Sequence, residues 1–319
     1  MLIIPGRKGL IFMNGSFIAA LKGTFMLFLF IVSGYVLRKK NIAGESAGGV
    51  ISSLLMNYFM PMMMIHIITQ NITIEEIKTS YPVMLTACAV ITVSYIAALP
   101  IARLLAKERK LRNVAVFALV FSNFGFMGIP IIEAVYGKQE FAFLAMYTIP
   151  YYLTVNVLGD YILRSDKKLN FKVIFQPVTY GIIIGFVLVL LNIRLPETAA
   201  KWVEYSYNCV IPLSMLLAGL VLGARPFSAM FRRPVIYVIS LLRTVALPIV
   251  FMVILVLCGV RGTVMGIPVL IMGMPVAVNG VMLAENLGGD AFAAAQCAFI
   301  STILSLITIP ALTYLVNMV

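Results

Sequence analysis

Histidine occurs once in this chain, at His66, and acidic residues number only 12 against 24 lysines and arginines. With a single histidine there is no H-E-x-x-H zinc signature, and neither a G-x-S-x-G nucleophile elbow nor a phosphate-binding glycine loop can be found. The four cysteines, Cys88, Cys209, Cys258 and Cys297, lie in apolar stretches without metal-ligand spacing, so they read as inert core residues. Zinc, haem and nucleotide chemistry are thus without a motif, and no bound cofactor is expected. Charge is equally sparse: 11% of residues are charged while 62% are hydrophobic, with a mean hydropathy of +1.04. A soluble domain of 319 residues cannot bury that much apolar surface, which makes this an integral membrane protein in contact with a lipid bilayer. The net charge of +12 does not call for a nucleic acid, because the basic residues sit in short runs between apolar segments.

What is present is a series of apolar segments, each near the ~20 residues a helix needs to cross a hydrocarbon core. Ten are expected, at about 16–37, 46–69, 81–105, 111–136, 141–163, 177–195, 203–223, 234–259, 263–287 and 291–316. Arg7 and Lys8 near the N-terminus are not followed by a short apolar core and small-residue cleavage site, so no removable signal peptide is expected. Arg38-Lys39-Lys40, the group Lys107, Arg109, Lys110 and Arg112, the group Arg164, Lys167, Lys168 and Lys172, and the group Arg225, Arg232 and Arg233 all fall on alternate loops. By the positive-inside rule those loops are cytoplasmic, which places both termini outside the cytoplasm of a cell inner (plasma) membrane. The loop between segments nine and ten departs from the pattern, with Glu285 and Asp290 and no base.

An internal repeat underlies the series. Gly34-Tyr35-Val36-Leu37 recurs as Gly185-Phe186-Val187-Leu188, Asn57-x-x-x-Pro61 as Asn208-x-x-x-Pro212, and Glu140 pairs with Asp290, at separations of 150 to 151 residues. Repeats of five helices, over 1–168 and 169–319, require the second copy to enter the membrane inverted, a signature of alternating-access transporters.

Segments four and nine stand apart from the others. Ser122-Asn123-Phe124-Gly125-Phe126-Met127-Gly128-Ile129-Pro130 and Gly273-Met274-Pro275-Val276-Ala277-Val278-Asn279-Gly280 are poor sequences for unbroken helix. At the repeat spacing Gly125 falls on Pro275 and Pro130 on Gly280, so the breaks are expected to coincide. In hydrocarbon a broken helix survives only where it is buried or lines a cavity. The functional reading is a substrate site of half-helix ends, whose free N–H groups suit an anion, with Asn123 and Asn279 as hydrogen-bond partners. The alternative is a packing notch with interhelical amide bonds. Arg243, near the middle of segment eight, has two open readings: attraction of an anionic substrate, or an ion pair or a bond to free carbonyls at a helix end. Asp160 and Glu285 are candidates for proton coupling, against the plainer reading of solvated or paired acids. Asp290 reads as the N-cap of the last helix. An intramembrane aspartyl protease using Asp160 and Asp290 is the rival class, but its Gly-x-Gly-Asp and Tyr-Asp signatures are not matched by Gly288-Gly289-Asp290 and Asp160-Tyr161.

The stretch Asn123-Phe124-Gly125-Phe126-Met127-Gly128-Ile129-Pro130 resembles the Asn-x-Gly-Phe-x-Gly-x-Pro motif of the auxin efflux carrier family. Leu55-Met56-Asn57-Tyr58-Phe59-Met60-Pro61, Pro212 to Gly219 and Ser301 to Pro310 extend the resemblance over essentially the whole chain. It implies an all-α membrane protein of ten helices in two inverted five-helix repeats, with helices four and nine broken and crossing, similar in fold to sodium-coupled bile acid symporters. It also implies transport of organic anions, chiefly carboxylates such as malonate, malate or auxin, with the segment-four asparagine contacting the carboxylate. In plant members a proline precedes that asparagine; here the position is Ser122, and Pro275 stands at the segment-nine crossing. The long cytoplasmic loop of many plant members is also absent, which favours a compact bacterial-type carrier. The expectation is therefore a non-enzymatic carrier of a small mono- or dicarboxylate. Asn123, Gly125, Gly128, Pro130, Pro275, Asn279 and Arg243 form its expected site, a proton or sodium its coupling ion, and a homodimer its further possible state.

Overall fold

The computed structural model describes residues 22, 25–124, 132, 136, 141–164, 175–224 and 226–318. Gly125, Gly128, Pro130 and Glu140 lie outside the described residues. Among the described residues the regular secondary structure is helical apart from one isolated β-bridge.

The first helix, α1, spans 25–39. A continuous helical run, α2, follows from Ala47 to Asn71 and contains a π-helical turn at Leu55–Phe59. After it come α3 (Ile74–Leu105), α4 (Arg109–Val120) and α5 (Phe141–Leu163). The second half has α6 (Pro177–Leu190), α7 (Glu197–Gly223), and α8 (Pro234–Leu257), whose π-helical turn is Leu242–Ala246. It ends with α9 (Thr263–Gly273), α10 (Asn279–Asn286) and α11 (Ala291–Met318). Five stretches within this set, Ala47–Gln70, Pro82–Leu105, Glu197–Gly223, Pro234–Leu257 and Ala291–Met318, are long and apolar enough to cross a membrane. Segment nine of the sequence is thus two helices, α9 and α10, separated by residues 274–278.

Both π turns precede a proline, Pro61 and Pro248. A proline inside a helix has no N–H to give to the carbonyl four residues back, and a widened turn absorbs the misfit. In α8 that turn carries Arg243 and Thr244, both buried.

The surface is far more apolar than that of a soluble protein, while the interior is apolar with a minority of polar side chains. Large apolar side chains such as Leu85, Ile96, Leu104, Leu257 and Ile307 are exposed, whereas Ser52, Asn113, Asn156, Ser240 and Gln296 are buried. A hydrocarbon solvent rewards this distribution, because polar groups there must be satisfied by protein. It also corrects the reading of the cysteines: only Cys297 is a core residue, while Cys88, Cys209 and Cys258 are exposed. A thiol behaves as a small apolar group and lies comfortably on a lipid-facing helix surface.

Packing separates the helices into two groups. α2 lies against α6 and α7, and α1 reaches α7 through Gly34 and Gly219, where a Cβ on either would strike the backbone of the other helix. Small residues allow this approach, and in lipid such dispersion contact is a main source of helix association. The second group sets α3 against α4 and α5, and α8 against α9 and α11, with α10 against α11. The groups meet where α7 packs against α11 and Phe28 of α1 stacks on Phe299 of α11 with ring centroids 5.7 Å apart, and also where Ser52 Oγ of α2 donates to the Met282 carbonyl at 3.5 Å and accepts from Asn286 Nδ2 of α10 at 3.3 Å.

The repeat spacing differs between elements. α2 and α7 begin at Ala47 and Glu197, and α5 and α11 at Phe141 and Ala291, both 150 residues apart. α4 and α9 begin at Arg109 and Thr263, 154 residues apart. The breaks therefore match in a register four residues from the one expected at constant spacing.

Candidate substrate site at the crossed breaks

α4 ends at Val120 and the chain turns extended at Phe121; α9 ends at Gly273 and the chain turns extended at Met274. The two extended pieces meet as an antiparallel bridge between Ser122 and Val276. The Asn123 amide donates to the Pro275 carbonyl at 2.7 Å, and the Ala277 amide donates to the Phe121 carbonyl at 3.1 Å. These bonds exchange under the pairing of Phe121 with Pro275 and of Asn123 with Ala277, which is the 154-residue spacing of α4 and α9. Pro275 fits this place because only its carbonyl is used; a proline has no N–H to leave unsatisfied. Each break thus supplies the backbone partners that the other has freed, which meets the demand of a low-dielectric interior. Constant spacing had made Gly125 the repeat equivalent of Pro275; the bridge makes Phe121 its equivalent and places Asn123 across from Pro275.

Two further helices hold the bridge. Tyr151 Oη of α5 donates to the Ser122 carbonyl, and Ser301 Oγ of α11 accepts from the Val276 amide at 2.9 Å while donating to the Cys297 carbonyl at 2.6 Å. Tyr151 and Ser301 are 150 residues apart, so equivalent positions of α5 and α11 clasp equivalent residues of the bridge. Neither was singled out as a site residue from the sequence. Ser301 lay in a family-like stretch, and Tyr151 lies in the aromatic-rich run Tyr147–Tyr152.

That run lines the crossing. Phe124 packs edge-on against Tyr147 and Tyr151, with ring centroids 5.5 and 4.4 Å apart, and Phe121 packs edge-on against Tyr151 at 5.7 Å. Phe117 is wedged between Gly159 of α5 and Gly280 of α10, where an added Cβ would meet its ring. Gly280 therefore serves close packing here.

Arg243 is 2% exposed and points at the end of α4. Its Nη1 donates to the carbonyls of Leu119 at 2.8 Å and Val120 at 3.3 Å, while its Nε has no partner among the described residues. Carbonyls in the last turn of a helix lack an intrahelical donor and carry the negative end of the macrodipole. A guanidinium meets both needs, and burial strengthens the attraction.

Asn123 is 3% exposed, and its Nδ2 has no partner among the described residues; the same holds for Ser122 Oγ and for Nδ2 of Asn156, on α5. Asn279, 8% exposed, opens α10, while the Gly280 and Val281 amides of its first turn already donate to the Ala277 and Val278 carbonyls at 3.1 and 2.8 Å. Asn123, Pro275, Asn279 and Arg243 are thus brought to the crossing. Asp160 and Glu285 are not at the bridge itself. Asp160 is held by Arg164 in a two-pronged pair, with Nε and Nη2 at 2.9 and 3.1 Å from its two oxygens. Glu285 is exposed and borders a recess of about 160 Å³ together with Arg38 and Glu45. Asp290 caps α11 through the Ala293 amide at 2.8 Å, as its position predicted, and also pairs with Arg233 at 2.8 Å. Asp160 and Asp290 each hold their own guanidinium, an arrangement unlike two acids sharing one proton. No group of three potential metal ligands occurs among the described residues.

Comparison with known proteins agrees with this architecture. A family model described as membrane transport protein matches residues 20–165 and again residues 160–313, so the chain carries the same unit twice. An uncharacterized transporter of Methanothermobacter thermautotrophicus is 24% identical over 305 residues, covering 92% of this chain and 97% of that protein.

Proposed function

The chain belongs to the membrane transport protein family, that of the auxin efflux carriers, and from this premise we propose that it carries a small organic anion, a mono- or dicarboxylate, by alternating access around the crossed breaks. The observation that carries the reading is Asn123: a buried amide donor without a partner among the described residues, on a backbone held by the segment-nine break, α5 and α11. A buried donor left unpaired costs about 1–3 kcal/mol, a cost a bound carboxylate oxygen removes. The Asn279 side chain would add a second hydrogen bond to the anion without a buried counter-charge. Gly125, Gly128 and Pro130 enter the proposal as the residues that shape the second half of segment four.

In this reading the chain crosses the membrane ten times as two inverted five-helix repeats, with its basic loops in the cytoplasm and both termini outside. The group containing α1, α2, α6 and α7 is the scaffold, and the group containing the crossing moves against it. Arg243 works mainly as the cap of α4, because its Nη1 already serves two carbonyls. Among the coupling candidates Glu285 is the better placed, since it is exposed at the boundary between the groups whereas Asp160 is committed to Arg164.

Proteoliposomes loaded with the purified protein test the proposal with a panel of labelled mono- and dicarboxylates, with and without imposed proton and sodium gradients. Saturable uptake of at least one acid is expected, and the gradient that drives it names the coupling ion. If correctly folded protein moves none of the acids, the carboxylate assignment is wrong.

A further inference from the structure

Away from the crossing, a cavity of about 440 Å³ opens between α3, α4 and α5. Arg103 in the last turn of α3 and Arg109 and Arg112 in the first turn of α4 line it together with the buried Asn113. Tyr95 and Tyr161 contribute hydroxyls from α3 and α5, and no carboxylate is among the lining residues. Arg112 is fixed there by its own bonds, Nε to the Ala106 carbonyl at 3.1 Å and Nη2 to the Lys107 carbonyl at 2.8 Å. Every lining element belongs to the mobile group, so the cavity is off the path between the two groups. Its flank on α3 presents Ile96 and Leu104, 63% and 87% exposed, as apolar surface beside the guanidiniums.

We propose that this cavity binds the phosphate of an anionic phospholipid in the leaflet on the basic side of the protein. The guanidiniums of Arg103 and Arg109, the positive charge and remaining Nη1 of Arg112 and the side-chain amide of Asn113 suit phosphate oxygens, and planar forked donors are the side chains best matched to that group. The adjoining apolar face gives the acyl chains a continuous surface, which a soluble phosphate does not need. Basic pockets between helices at the cytoplasmic interface are a recurrent setting for such headgroups. Assigning the leaflet as cytoplasmic rests on the orientation proposed above; the affinity does not.

Native mass spectrometry of the detergent-purified full chain, titrated with phosphatidylglycerol or phosphatidylcholine, tests this directly. Phosphatidylglycerol should bind at least about tenfold tighter. Arg103→Gln should weaken it about fivefold, the contribution of one basic side chain near a charged headgroup, whereas Arg103→Lys should keep most of the affinity. Arg232→Gln, which removes an exposed charge on another basic loop, should leave the affinity unchanged, and melting temperatures recorded alongside confirm that the variants are folded. Equal binding of the two lipids, or equal weakening by Arg103→Gln and Arg232→Gln, would overturn the proposal. Displacement of phosphatidylglycerol by equimolar inorganic phosphate would overturn the lipid as its source.

Discussion

Arg243→Met should lower the melting temperature of the purified carrier by roughly 5–10 °C and remove uptake. Two buried helix-end carbonyls, on Leu119 and Val120, lose the guanidinium that donates to them; each lost bond to a charged group costs about 1.5–3 kcal/mol. The end of α4 is also one wall of the crossing, so loosening it shifts Phe121 and with it the bond from Ala277 and the neighbouring bond from Asn123 to Pro275. Arg243→Lys separates capping from anion attraction. A lysine keeps the charge but not the forked geometry that reaches two carbonyls. Under the capping account the lysine variant loses stability by a smaller amount and transports with an altered maximal rate. A lysine variant of normal stability whose only defect is a raised KM would instead mark Arg243 as a contact for the substrate.

Asn123→Ala should behave in the opposite manner. Its Nδ2 has no partner among the described residues, so removing it costs the empty protein little and relieves a buried donor. Transport efficiency should fall by about 10- to 100-fold, the worth of one hydrogen bond to a charged group, while the melting temperature holds. Asn123→Asp should be worse, since a carboxylate there opposes the anion. Normal kinetics in Asn123→Ala would make the break a packing notch and the site assignment wrong.

Much of the architecture is legible in the sequence because a bilayer imposes length and apolarity on each helix. The expected segment at 141–163 is α5 (Phe141–Leu163), and Gly273, Pro275 and Asn279 announced the gap between α9 and α10. The register of the crossing was not legible. It is set by two backbone hydrogen bonds, which leave no mark in hydropathy, and the four-residue difference between spacings escaped any constant offset. Tyr151 and Ser301 were missed for a related reason: a residue that bonds a distant backbone atom looks like any other core side chain. The partner of Asp160 could have been read directly, since Arg164 follows four residues later on the same helix face. The exposed cysteines show the limit of apolarity as a guide, since lipid-facing and protein-facing helix surfaces have similar compositions.

Alternating access is tested most directly where the two groups touch. Ser52 and Asn286 join α2 to α10 at the end of the bundle bearing the basic loops, and opening to that side requires them to part. In a cysteine-free background, Ser52→Cys/Asn286→Cys should react with a short bismaleimide linker, and the linked protein should show no carboxylate uptake in proteoliposomes. The same double variant before linking, and each single variant after treatment, should transport normally. Full uptake by the linked carrier would contradict movement of the crossing against the scaffold.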